Sequence, residues 1–263
     1  MAWVKETFMV AGQVKCRVAG TAAPFEPMGL GSTMEQTHEV NKITLANTMT
    51  VGGGNYASKS RPTAMLLNFN FREFFTANFV RFLWAAATEL ESAAVTGEQK
   101  EAKVGMTTML DKMPLSITTV VDAATGLIEY EEDIEWKLTG SGIEPMPGGA
   151  LATAIAAAAA EDPPVPYMLE FDYMSAPVDD IQVLTNSGVE LELLFEGVNA
   201  VGTQKRVNNL YFRCMFDLVQ TLAWINIEDF MGQQVSCEVL ADPSRTGPNQ
   251  SPFMKIMKER KAA

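Results

Sequence analysis

The stretch Val189–Gly197, VELELLFEG, decides how the chain is read. With a period of two, Leu191, Leu193 and Phe195 share one face. Glu190, Glu192 and Glu196 share the other, where only Leu194 interrupts the polar row. Successive side chains of a strand point to opposite faces, so the pattern predicts a half-buried β-strand carrying a line of carboxylates.

The same alternation recurs outward from this point. Met65, Leu67, Phe69 and Phe71 form one apolar phase, as do Ile134, Trp136 and Leu138, and Tyr167, Leu169, Phe171 and Tyr173. Leu210, Phe212, Cys214, Phe216 and Leu218 form another, followed by Val235, Cys237 and Val239. Many short strands between Gly, Pro and Asn turns predict a mainly β fold, a β-sandwich or partial barrel of two packed sheets. One segment departs from this period. Phe74, Phe75, Phe79, Phe82, Leu83 and Ala86 recur at helical spacing, which predicts one amphipathic α-helix over about Phe75–Ala87.

Three stretches read as long exposed connections: 20–31, 47–61 with its triple glycine, and the Ala/Pro-rich insertion 147–166. Connections of that length inside a domain are usually functional or ordered by a partner. The alanine run Ala150–Ala160 is too short to span a membrane, which takes roughly 20 apolar residues. It reads as a surface helix or an ordered insertion, and the start MAWVKETFMVAG does not read as a signal peptide.

The chain has 263 residues, 47% of them hydrophobic and 20% charged, with a net charge of −12. That length fits one large all-β domain or two smaller ones. The acidic balance argues against a protein that grips nucleic acid through its phosphates. Cys16, Cys214 and Cys237 are too few and scattered for a disulfide framework and read as buried thiols in a reducing compartment. His38 is the single histidine, so histidine-based triads and multi-histidine metal sites have no partner residue. The glycine-rich GLGST and VGGGN match neither phosphate-loop nor dinucleotide patterns. EYEEDIE (129–135) lacks the spacing of a calcium loop and reads as a solvated strand-and-turn face. No catalytic, metal or cofactor site is expected.

The last third carries a resemblance. Phe195-Glu196-Gly197 with Asn199, then Phe216-Asp217, then Glu238 to Pro243 with Thr246-Gly247, follow one another as strand, connection, strand and closing turn. Together they resemble the tail tube (major tail) proteins of long-tailed bacteriophages. LNFNFREFFTANFVRFL resembles that family's strand-then-helix segment, keeping an acidic residue at Glu73 and an asparagine at Asn78 but lacking its proline.

The resemblance implies a single tail-tube domain over 1–263, a structural, non-enzymatic virion protein assembled in the host cytoplasm. Its copies would form hexameric rings stacked into a hollow tube for DNA ejection. The implied partners are other copies, tape-measure protein and transiting DNA in the lumen, and tail terminator and distal tail or baseplate proteins at the ends. The loop carrying Gly52, Gly53, Gly54, Asn55, Tyr56, Lys59 and Arg61 would reach a neighbouring subunit. Glu190, Glu192 and Glu196 would form an acidic lumen face or an outer solvated one; one sequence does not orient a sheet within a ring. The alternative is a monomeric β-sandwich binding module that recognises a glycan or a host surface.

Overall fold

The strand read from VELELLFEG runs over Glu190–Asn199, with Leu191 and Leu193 buried and Phe195 packed partly buried beside them. The computed structural model describes residues 9–201 and 205–260. Residues 1–8 of the MAWVKETFMVAG start and 202–204 of the connection after Asn199 lie outside the described residues.

In chain order the elements begin with β1 (Val10–Val18), β2 (Glu26–Pro27), β3 (Gly31–Ala46), β4 (Asn55–Phe71), α1 (Thr76–Phe82) and β5 (Ala86–Leu90). There follow β6 (Ala94–Glu101), β7 (Thr108–Met109), β8 (Pro114–Asp122), β9 (Trp136–Thr139), β10 (Gly142–Pro145) and α2 (Ala150–Ala159). The chain closes with β11 (Met168–Ser175), β12 (Val178–Gln182), β13 (Glu190–Asn199), β14 (Arg206–Phe216), β15 (Gln233–Val239) and β16 (Met254–Lys258). The fold is mainly β, and among the described residues no sheet closes into a barrel.

Packing divides the chain into two compact units, Met1–Ala87 with Ile181–Ala263, and Thr88–Asp180. The expectation of one domain over 1–263 did not draw that division. β5 and β12 pair as a two-stranded sheet where the chain passes from the first unit to the second and back.

The first unit is an eight-stranded sheet in the order β2-β1-β13-β14-β15-β4-β3, with β16 added to β14. Leu67, Phe69 and Phe71 of β4, Cys16 of β1, Leu193 of β13 and Cys237 of β15 meet in one core, as the period of two predicts. Phe82 of α1 seals it, its ring centroid 5.6 Å from Phe71 and 4.9 Å from Phe216. The helix stops at Phe82, short of the expected Ala87. Trp84 takes a φ of +49°, and a left-handed residue cannot continue a right-handed helix.

One bulge breaks the alternation. Leu191 faces Cys214 and Leu193 faces Tyr211, so β14 places one extra residue opposite β13. Tyr211 and Cys214 therefore both turn into the core. Phe212, expected to share the core phase with Cys214, instead lies outside that cluster with the Arg245 guanidinium 3.4 Å above its ring.

The second unit combines two three-stranded sheets, β6-β11-β8 and β7-β10-β9, with α2. Leu169, Phe171 and Tyr173 are buried as read, and so is Trp136. Ile134 and Leu138 are not, at 61% and 38% exposed. Ile134 follows Asp133, whose φ of +63° turns the chain before β9 begins, and Leu138 lies on an edge strand. Of the two readings of the alanine run, the helix is the one that forms: it folds as α2, burying Leu151 and Ile155 one turn apart. The Glu135 carboxylate accepts hydrogen bonds from the Ala150 and Leu151 amides at 3.0 and 2.9 Å. It thereby satisfies donors that a helix start leaves open, and its charge suits the positive end of the helix dipole. Part of the acidic EYEEDIE cluster is thus a helix cap.

Candidate assembly surface

β3 and β4 pair from Gly31↔Phe71 out to Ala46↔Asn55, and only the base of this ladder reaches the core. From Glu35 to Thr63 every residue is exposed except the half-buried Asn47. At about 3.3 Å per residue, the part from Glu39 to Ala46 extends roughly 25 Å beyond the last core contacts. The expected loop 47–61 is therefore a turn over 47–54 followed by strand. Gly52, Gly53 and Gly54 lie in the turn, with Gly53 and Gly54 at φ of +67° and +101°. Asn55, Tyr56, Lys59 and Arg61 belong to β4, because each pairs across the ladder or sits between residues that do.

The two faces of this arm differ. Cross-strand partners share a face, which puts Asn41 with Arg61, Ile43 with Lys59, and Leu45 with Ala57 on one side. Ile43 and Leu45 are 62% and 60% exposed there. Between residues 40 and 64 the arm holds three cations, Lys42, Lys59 and Arg61, and no acid, in a chain of net charge −12.

The carboxylate row on β13 exists as read, but it is not a bare negative surface. Glu190 is held by Arg213, Glu192 by Arg17 at 2.7 Å, and Glu196 by Lys15 at 2.5 Å. The register accounts for this: Arg17 lies opposite Glu192 on β1, and Lys15 sits two positions from Gln13, the partner of Glu196, and so on the same face. The Arg17 guanidinium also donates to the Ala23 carbonyl at 3.1 Å and lies 4.4 Å from the Phe25 ring centroid. Glu192 is buried beneath that pair. The row is a charge-neutral ladder with one member removed from water.

A second exposed apolar feature escaped the sequence reading. The connection from β14 to β15 presents Trp224, Ile225, Ile227 and Phe230, at 72%, 87%, 95% and 85% exposed, beside Glu228 and Asp229. Four large apolar side chains in seven residues mark a contact surface in a folded chain. The Trp224 ring stacks on Phe79, and Arg72 donates to the Phe230 carbonyl, so the connection is anchored on α1 and on the residue that follows β4. The signal in the sequence is Asn226, whose Oδ1 accepts from the Glu228 and Asp229 amides and makes a turn within the connection. Both ends of the connection line a polar groove of about 810 Å³ floored by Asn68, Asn70, Gln234 and Ser236.

The remaining chemistry-bearing groups are accounted for locally. His38 sits exposed on the arm with its Nε2 2.7 Å from Gln36 Nε2. All three cysteines are buried. The neighbouring Cys214 thiol and burial hold Cys237 well above the usual thiol range, and burial pushes Cys16 up. Such thiols are poor nucleophiles. Among the described residues, no three His, Cys, Asp or Glu side chains are placed to hold a metal ion. No helix among them is long and apolar enough to cross a membrane.

Residues 7–257 match the family described as Protein of unknown function UCP028589. The chain belongs to that family. The match takes in the arm, the β13 ladder and the β14–β15 connection alike, so the whole candidate surface lies within the family's extent. A search of curated proteins finds no match.

Proposed function

We propose that this chain is a non-enzymatic structural subunit that self-assembles into stacked hexameric rings, the hollow tail tube of a long-tailed bacteriophage, built in the host cytoplasm. The observation that carries the reading is the arm. A two-stranded ribbon is marginal in water by itself, and this one extends its ladder well past the core with Ile43, Leu45 and Tyr56 exposed. Such a ribbon is stabilised by a partner. The open sheet adds to this, because β3 ends the strand order with its outer edge unpaired among the described residues, and unpaired edges invite strand addition. Ring closure between copies removes that edge.

In this reading the tape-measure protein and DNA pass through the lumen, and terminator and distal tail proteins cap the tube. Repulsion of DNA then comes from the chain's overall charge of −12, since Glu190, Glu192 and Glu196 are each paired to a cation. A second reading, a monomeric module binding a glycan, draws on the amide-lined groove beside Trp224. Negative-stain microscopy at rising protein concentration, with mass by light scattering, separates the two. Rings or tubes of uniform width support the subunit. A strict monomer that retains sugars in a glycan screen supports the module.

A further inference from the structure

The arm and the β14–β15 connection are opposite in charge and alike in apolar content. The arm's Ile43–Leu45 face carries Lys59 and Arg61. The connection carries Glu228 and Asp229 among Trp224, Ile225, Ile227 and Phe230, and residues 220–232 include no cation. Glu35 adds a third carboxylate on the groove itself. The groove also presents the polar side chains of Asn68, Gln220, Thr221, Gln234 and Ser236, and the arm brings hydrogen-bond donors in Lys59, Ser58 and Ser60.

We infer that the acceptor for the arm is the groove and acidic-apolar connection between β14 and β15 on a second copy of this chain. This rests on the self-assembly reading above and specifies its contact. The arm does not occupy its own groove: no residue from 36 to 67 lines it, and all from 35 to 63 but the half-buried Asn47 are exposed. The contact therefore joins two different surfaces, one from each copy. Made in one direction rather than exchanged reciprocally between two copies, such a head-to-tail contact closes into rings or runs on into filaments.

Charge reversal with exchange tests the assignment. One variant carries Lys59→Glu with Arg61→Glu, the other Glu35→Lys with Glu228→Lys; Asp229 is left alone because it lies 3.6 Å from Arg72. Each alone is expected to stay folded by circular dichroism and to need roughly a hundredfold more protein to assemble, the scale of like charges opposed at an interface. An equimolar mixture of the two regains assembly, since each reversed surface then meets its complement. Cross-linking gives an independent readout: with the native thiols buried, Ile43→Cys together with Ile227→Cys yields disulfide-linked ladders on mild oxidation. Normal assembly of the Glu35→Lys, Glu228→Lys variant, or failure of the mixture together with absent ladders, overturns the assignment while leaving self-assembly intact. A wild-type protein that stays monomeric at every concentration overturns both.

Discussion

Arg213 clasps Glu190 through two parallel hydrogen bonds, Nε to Oε2 at 2.9 Å and Nη2 to Oε1 at 2.6 Å. Its remaining Nη1 donates to the Ala241 carbonyl at 2.8 Å. One side chain thus ties β13 and β14 to the chain leaving β15. Bidentate geometry fixes orientation as well as charge.

That clasp predicts an acid-sensitive increment of stability. The hydrogen bonds from Arg213 hold the Glu190 carboxyl below its ordinary value of 4.5. The folded state therefore releases this proton more readily than the unfolded chain. Its contribution is present in full above about pH 4.5 and is lost as pH falls through the lowered value. Because both side chains remain partly exposed, solvent screening keeps the effect small. Denaturant titrations of wild type and Glu190→Gln are expected to differ slightly at pH 7, with the gap narrowing in added salt and closing in acid. A gap that persists in acid would mean Glu190 acts through packing instead.

The same pair shows how far the sequence could be read. The phases of β4, β11, β13 and β15 were legible, because one buried face imposes a period of two on Leu67, Phe171, Leu193 and Cys237. The partners of the carboxylates were not. Arg17 lies 175 positions from Glu192 and Lys15 181 from Glu196, and only the β1–β13 register brings them together. The arm was half legible: its glycines marked the turn, but with both faces in water its strands lack the alternation that a core imposes. The bulge at Phe212–Arg213 left no periodic trace, and it alone moved Tyr211 into the core.

Two glycines are expected to respond in opposite directions to alanine. A Cβ on Gly142 would run into the Thr108 backbone carbonyl, where β10 pairs with β7. Backbone cannot yield as a flexible side chain does, so Gly142→Ala is expected to cost about 1–3 kcal/mol. Gly52, in the arm's turn, has open space around it and no positive φ. Gly52→Ala is expected to be neutral or to stabilise by up to about 1 kcal/mol, through the unfolded chain's lost freedom. Thermal and denaturant unfolding of both variants checks the sign.

Alkali should unfold the protein through its buried phenols. Burial, with the Glu98 carboxylate accepting from the hydroxyl at 2.6 Å, pushes Tyr173 up to about 12. Burial pushes Tyr211 up to about 12 as well. An unfolded tyrosine ionises near 10, so between those values the folded state binds more protons. Stability is full below pH 10 and falls as pH rises toward 12. Tyrosinate absorbance followed against circular dichroism is expected to show late ionisation coincident with unfolding. Tyr211→Phe should flatten the decline.

Glu135 is expected to matter for α2 and little else. Glu135→Ala removes the acceptor of two helix-start amides and should cost about 1 kcal/mol, the usual scale of a lost cap. Glu135→Gln, with one acceptor oxygen, should fall between. Hydrogen exchange at the Ala150 and Leu151 amides reads the effect directly, rising in both variants while the β13 amides stay protected.

Shortening the arm separates assembly from folding. Residues 40–62 are exposed apart from the half-buried Asn47, and they contribute nothing to the core built on Leu67, Phe69 and Phe71. Replacing 40–62 by an Asn-Gly turn, the pair that suits a tight hairpin, joins β3 to β4 near their base. Unfolding free energy is expected to stay within about 0.5 kcal/mol of wild type, as for other surface changes. Sedimentation of the shortened protein should show a monomer at concentrations where the full chain forms rings or tubes. If the shortened chain unfolds much more easily, the arm packs on its own subunit; if it still assembles, the contacts between copies lie elsewhere on the sheet.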